Sequence, residues 1–447
     1  MNRGFFYDEL FLVNHGLLSP EVFRSYFLED YSTANHIGYT VLSFGVCHFL
    51  GIKEWTVRLP ALIFGLGSVV VFWFWLKEYF GRWTAFLGTL LMTLSPVCVI
   101  WSASGRGYSA FIFFTILSTS LYFRLLEYPS KKKALSLGVV NTIGIAFHLF
   151  FLPVIFAQLC HVIVLSLQKR ILHKPRMEHQ SLIYGFFSVL VSFLLSACVY
   201  IPIAGKYVFS QSGIKGEFIS NFPLMVLTDF LSLALIPLGV VCLILMIIGL
   251  MKANVRLAGW RVYVLFLFLI PIPFWLANPQ FLSTRFFAFL IPFIFLGVAN
   301  GMSVLPRLIP EKFPKVFKIL CVVGVFVTLC SIGWSWKTKP SDIVEEYQNT
   351  YKESVTFAKE NFNGTANFCS IGLGDKFFQF YSDRPMRSFS TFGDFIALYS
   401  QGKEMVCFAL MGPPMSDEHK KIFLFMWNNA QIKTFNKIYL FYLKGKS

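Results

Sequence analysis

The chain has 447 residues, of which 56% are hydrophobic and only 14% charged, with a mean hydropathy of +0.63. A soluble globular chain carries about a quarter charged residues, so that class is excluded, and the apolar excess lies in runs long enough to span a bilayer. The formal net charge of +16 does not mark a nucleic-acid binder, because the basic residues cluster in short loops between apolar runs, as membrane orientation requires.

Residues 1–56 contain no apolar run of spanning length and carry two acidic pairs, Asp8-Glu9 and Glu29-Asp30. Beyond them the apolar pattern predicts about ten spans, which must be helices because lipid offers the backbone no hydrogen-bond partner. They are placed at 57–79, 83–101, 108–126, 135–149, 150–167, 182–203, 232–250, 262–277, 286–305 and 319–336. The fourth and fifth abut near Phe150 without a polar gap.

Alternate connections hold the basic residues. Lys77 and Arg82 come first, then Lys131–Lys133, then Lys169, Arg170, Lys174 and Arg176. Lys252, Arg256 and Arg261 follow, and Arg307, Lys312, Lys315 and Lys318 complete the series. The positive-inside bias makes that side cytoplasmic and puts 1–56, 102–107, 204–231, 278–285 and 337–447 on the opposite face. An outside N-terminus of this kind ordinarily follows a first span, so a helix upstream of Met1 is expected.

The tail changes character. Helical periodicity in "SVTFAKENF" and "DEHKKIFLFMWNNA" alternates with strand-like runs in "ANFCSIGL", "EMVCFALMG" and "KIYLFYLK". The fold class is therefore a polytopic α-helical membrane protein with a small C-terminal extracytoplasmic α/β domain. Three parts are expected: a first outer loop over 1–56, a multi-span domain over 57–336 and the α/β domain over 337–447. Seven of the nine cysteines precede residue 340 in or beside apolar runs and read as small apolar fillers. Cys369 and Cys407 lie in the polar tail, where an oxidising compartment permits pairing.

Chemistry is sought on the outer face. Arg58, Arg106 and Arg285 each stand at the outer end of a predicted span, against the orientation bias. A guanidinium there offers a planar fork of donors suited to phosphate, although any one of them is equally read as snorkelling to headgroups. Three on one side, beside an acidic loop, favour an anionic lipid substrate, and Lys206 and Lys215 add to the positive patch. Asp8-Glu9 taken alone reads as solvated surface. His36 and His148 read as hydrogen-bonded helix-end residues, because no H-x-x-H or H-E-x-x-H spacing supports a metal site. No Gly-rich phosphate loop, no file of carboxylates along the spans and no inverted repeat is visible, which argues against nucleotide-driven or ion-coupled transport.

"YDEL", then "TANHIGYTVLSFGVCHFLGIKEWTVRLPALIFG", then "LSPVCVIWSASGRGYSAFIFF" resemble the opening of the GT-C glycosyltransferases. The nearest relatives would be the bacterial branch related to protein O-mannosyltransferases and lipid A aminoarabinose transferases. "STRFFAFLIPFIFL" is similar to that group's outer-loop arginine followed by a proline-containing apolar helix. The resemblance covers roughly residues 5–300 and implies transfer of a sugar from a polyprenyl-phosphate carrier to an acceptor at the outer face. It implies that Asp8, with Glu9 beside it, acts as general base in an inverting displacement. Arg58, Arg106 or Arg285 would hold the departing phosphate, with His36, Tyr108 and Lys206 as further substrate-binding candidates. The acceptor class stays open among glycan, lipid and protein. No cofactor is indicated, and metal dependence, which differs among branches, is undecided. The chain departs from the family's pattern at Ile37, where a proline is usual. The competing reading is a non-catalytic polyprenyl-phosphate-binding subunit or a glycolipid transporter.

Overall fold

The computed structural model describes residues 7–28, 36–172, 179–209, 236–253, 259–273, 284–304, 351–362, 366–371, 375–382, 385–389, 391–410, 416–435 and 438–444. The span expected at 319–336 and most of the loop 204–231 lie outside them. Two compact units are resolved. One comprises 1–24, 47–57 and 341–447, and the other 25–46 and 58–340.

The larger unit is helical. Its elements run α3 (Ile37–Leu50), α4 (Glu54–Tyr79), α5 (Arg82–Leu94), α6 (Pro96–Ser102), α7 (Tyr108–Glu127), α8 (Lys131–Phe147), α9 (Leu152–Leu172) and α10 (His179–Phe209). Then come α11 (Ile236–Met251), α12 (Trp260–Leu269) and α13 (Ile291–Val304), the last entered through a 3₁₀ turn over Thr284–Leu290. The first residues of α3 and α4 belong, respectively, to the larger and the smaller unit. Among the described residues, five helices are long and apolar enough to cross a membrane, or six if the bent pair α5–α6 is one span. α7 and α13 are buried over most of their length, whereas α4 and α10 present Leu66, Phe74, Leu190 and Ile201 outward, as lipid-facing helices do.

The run at 83–101 reads from sequence as one span but is broken. α5 and α6 meet at a 63° bend. Ser95 is extended (ψ 119°) and Pro96 opens α6, because a residue before proline avoids the α region and proline has no N–H for the helix ladder. The boundary near Phe150 is settled by a 3₁₀ turn, Leu149–Phe151, between α8 and α9.

Two devices hold the helices together without a hydrophobic difference between protein and lipid. Asn141 on α8 donates to Gln158 Oε1 (2.9 Å) and Ser192 Oγ (3.1 Å) and accepts from Ser118 Oγ (2.6 Å). Gln158 Nε2 donates back to Ser118 Oγ (2.7 Å), so α7, α8 and α9 share one closed polar ring, to which Ser192 ties α10. Elsewhere Gly249 on α11 faces Gly297 and Gly301 on α13 at backbone contact, and Asn300 Nδ2 donates to the Gly249 carbonyl (2.7 Å).

In the smaller unit, α1 (Tyr7–Leu12) continues through a π turn (Val13–Leu17), and α2 (Pro20–Leu28) begins there. α14 (Tyr351–Asn361), α15 (Asp375–Tyr381), α16 (Phe392–Tyr399) and α17 (Asp417–Asn429) surround a five-stranded sheet. Its strands are β1 (Asn367–Ile371), β2 (Arg387–Ser388), β3 (Met405–Leu410), β4 (Gln431–Phe435) and β5 (Ile438–Leu443), in the order β2-β1-β3-β5-β4. β1 pairs parallel with β2 and β3, and β5 runs antiparallel to β3 and β4. One sheet face buries Cys369, Met405, Cys407 and Phe441 against Phe395, Ile422 and Met426. On the other, Phe368 and Phe378 pack on Phe408, and Tyr351 packs on Phe378. Cys369 and Cys407 are free thiols opposite one another in neighbouring strands. Burial, first, and the neighbouring Cys369 thiol push the Cys407 thiol well up, so it stays protonated. Lys352 on α14 bonds Glu54 across 2.7 Å in the same unit.

Candidate functional site

The site grows from the first residue of α3 and from the turn between α6 and α7. His36 immediately precedes α3, and Ile37 takes the first helical position, which accepts proline and isoleucine alike, so the departure at Ile37 leaves the helix start intact. Between α6 and α7 the chain reverses over 103–107. Ser104 Oγ donates to the Ile100 carbonyl (2.7 Å), and the Arg106 amide donates to the Ser104 carbonyl (2.7 Å). This tight turn buries Arg106 and delivers Tyr108, also buried, as the first residue of α7.

Gly107 is required by a close approach. A Cβ there would lie 2.6 Å from the Phe147 carbonyl oxygen and 3.2 Å from His36 Cβ. That same carbonyl, the last of α8, accepts a hydrogen bond from His36 Nδ1–H (2.9 Å). His148, the next residue, caps α8. Its Nδ1 accepts from the Phe150 amide (3.2 Å), and its ring stacks on Phe111 (4.5 Å between centroids, 9° between planes). The two imidazoles stand 4.9 Å apart, with Tyr108 5.2 Å from His36 and 5.6 Å from His148. Trp101 flanks Tyr108 at 5.3 Å, and Phe286 flanks His148 at 5.9 Å.

Both histidines are neutral. Burial, then the Arg106 guanidinium and then that of Arg285, pushes His148 down to about 3. His36 is held well below the usual imidazole value by burial first and Arg106 next, with His148 and Arg285 adding to the effect. Arg106 and Arg285 therefore both act on one imidazole pair. Arg285 leans over the Phe286 ring at 5.9 Å. A group of two guanidiniums, a tyrosine and two uncharged imidazoles attracts an anion that carries hydroxyls.

Other sequence-derived candidates fall elsewhere or outside reach of description. Arg58 is buried on α4 in the larger unit. Lys206 lies on α10, but its side chain is outside the described residues, as is that of Asp8 on α1. Glu9 is completely buried in the smaller unit. Among the described residues no group of three or more His, Cys, Asp and Glu gathers to hold a metal. Pattern reading had passed over the partnership of His148 with His36. The sequence offered only a histidine at a helix end, 112 residues away in the chain.

Comparison with known proteins bears on this arrangement. Residues 41–196, which include Arg58, Arg106, Tyr108 and His148, match the family model described as Dolichyl-phosphate-mannose-protein mannosyltransferase. A putative mannosyltransferase of Bacillus subtilis (strain 168), YkcB, is 26% identical over 98 residues, 22% of this chain and 13% of that relative. Among solved structures, ArnT from Cupriavidus metallidurans superposes with a TM-score of 0.56 at 11% identity, over 100% of this chain and 96% of that one. The chain shares the GT-C fold of ArnT. The same ArnT bound to undecaprenyl phosphate aligns equally, at 10% identity. Archaeal oligosaccharyltransferase AglB from Archaeoglobus fulgidus, in complex with an inhibitory peptide and a dolichol-phosphate, aligns at a TM-score of 0.50 and 10% identity over 91% of this chain and 66% of that one. A GT-C fold with several membrane-spanning helices makes this chain an integral membrane protein.

Proposed function

We propose that this GT-C chain transfers a sugar from a polyprenyl-phosphate carrier to a cell-envelope acceptor on the outer face of the plasma membrane. The observation that carries the reading is the convergence of Arg106 and Arg285 on His36, His148 and Tyr108. Two fixed cations suit a phosphodiester monoanion before transfer and suit the phosphate dianion better after it, which is selective stabilisation of the departing group. Undecaprenyl phosphate in ArnT and dolichol-phosphate in AglB are ligands of this chemistry on the same fold.

The step proposed is one inverting displacement. The acceptor hydroxyl gives its proton to the Asp8 carboxylate as its oxygen attacks the anomeric carbon. The bond from that carbon to the phosphate oxygen breaks, and the polyprenyl phosphate leaves with the electron pair. Glu9 assists from the next position of α1, and Arg58 and Lys206 extend the positive lining. Asp8→Asn is expected to abolish sugar transfer, measured by mass spectrometry of envelope glycans, while expression and membrane insertion stay normal. Unchanged transfer in that variant removes Asp8 as base. Saturable lipid-phosphate binding with no bond cleavage in the wild type would instead make the chain a binding subunit.

A further inference from the structure

We infer that His36 and His148 form a hydroxyl-reading pair that holds one hydroxyl group of the transferred sugar, an assignment that rests on the sugar-transfer reading above. Each ring has its tautomer set by a backbone group. His36 gives its Nδ1 proton to the Phe147 carbonyl at 2.9 Å, so its Nε2 carries a lone pair and only accepts. His148 receives the Phe150 amide on Nδ1 at 3.2 Å, so its Nε2 carries the proton and only donates. Neither Nε2 has a partner among the described residues, and both are buried. An unsatisfied acceptor and an unsatisfied donor thus occur on rings 4.9 Å apart, where folded proteins ordinarily supply a partner to a buried polar atom.

The ligand that completes such a pair is chemically narrow. A phosphate oxygen accepts only, and so would be turned away by the His36 lone pair. An ammonium donates only, has nothing to offer His148, and is repelled by Arg106 and Arg285. A hydroxyl donates once and accepts readily, which matches both atoms. The arginines and the histidines therefore divide the donor between them, the guanidiniums taking its phosphate and the imidazoles a sugar hydroxyl. The charged and titratable groups acting on the pair are Arg106 and Arg285, with Tyr108 in ring contact, and the two cations keep both imidazoles uncharged so that the tautomers persist.

Asparagine places an amide nitrogen or oxygen where histidine has Nδ1 and has nothing at the position of Nε2. His36→Asn and His148→Asn thus keep the bonds to Phe147 and Phe150 and delete only the reading atoms. The experiment titrates the purified full chain with citronellyl phosphate and with the same lipid phosphate bearing mannose or glucose, together with their monodeoxy analogues. The wild type is expected to bind a glycosylated lipid more tightly than the bare phosphate and to lose about tenfold for one deoxy position. Each asparagine variant is expected to lose about tenfold for the glycosylated lipid, to be indifferent to that deoxy position, and to bind bare phosphate as the wild type does. Variants that bind the glycosylated lipid normally, or that weaken both lipids equally, overturn the pair while leaving sugar transfer standing. A wild type that binds neither lipid overturns both readings.

Discussion

Gly107 shows how much rests on one missing methyl group. Its φ of −74° suits any residue, so the requirement is steric: an added Cβ would push the Phe147 carbonyl away from His36. Gly107→Ala is expected to cost about 1–3 kcal/mol and to weaken transfer, whereas Gly45→Ala on α3, with nothing within 4 Å of the added carbon, is neutral or slightly stabilising. Thermal unfolding of the solubilised protein beside a transfer assay checks both. The depressed histidines also set a pH dependence. An imidazole titrates near 6.5 when unfolded and near 3 at native His148, so the unfolded chain binds protons first as pH falls. Stability is therefore full above about pH 6.5 and declines toward pH 3, by up to about 1.4 kcal/mol per pH unit for each histidine. The unfolding midpoint followed from pH 8 to 4 is expected to fall less steeply in His148→Asn than in the wild type.

At the scale of elements, helix contacts are made by small and polar residues. Gly297 and Gly301, four apart on α13, admit the backbone of α11, and a Cβ on Gly301 would run into the Leu245 carbonyl. Gly301→Val is expected to separate α11 from α13 and to lower the unfolding temperature sharply, with loss of folded protein after detergent extraction as the measurement. The break at Ser95-Pro96 has a different use. It turns α6 by 63° from α5, and at the far end of α6 Trp101 and the turn to Tyr108 meet the start of α3 and the end of α8. The sequence reading passed over Pro96 and took 83–101 as one span. Where the bent helix points was not legible either, because that depends on the helices packed around it.

For the molecule as a whole, orientation decides whether the proposed chemistry is available to an envelope acceptor. A cysteine placed at Asn2 in the N-terminal segment is expected to react with an impermeant maleimide from outside intact cells. One placed at Lys132, among the basic residues opening α8, is expected to react only after the membrane is opened. The reverse pattern would put Asp8 in the cytosol and end the outer-face reading. Burial of α7 and α13 against the outward apolar faces of α4 and α10 is the organisation this topology needs: a polar ring and an aromatic site inside, hydrocarbon-compatible surface outside.

Apolar run length and the placement of lysine and arginine sufficed to identify a polytopic membrane chain, because a bilayer rewards long apolar helices whatever surrounds them. Arg106 and Arg285 were likewise legible as candidates from their positions at span ends, and His36 and Tyr108 through the family resemblance. Their convergence was not, nor was the part played by His148 and Gly107. Those features depend on a carbonyl, an amide and a ring edge brought together from residues 36, 107, 147 and 150, and hydrogen-bond partners so far apart along the chain exist only once the helices have packed.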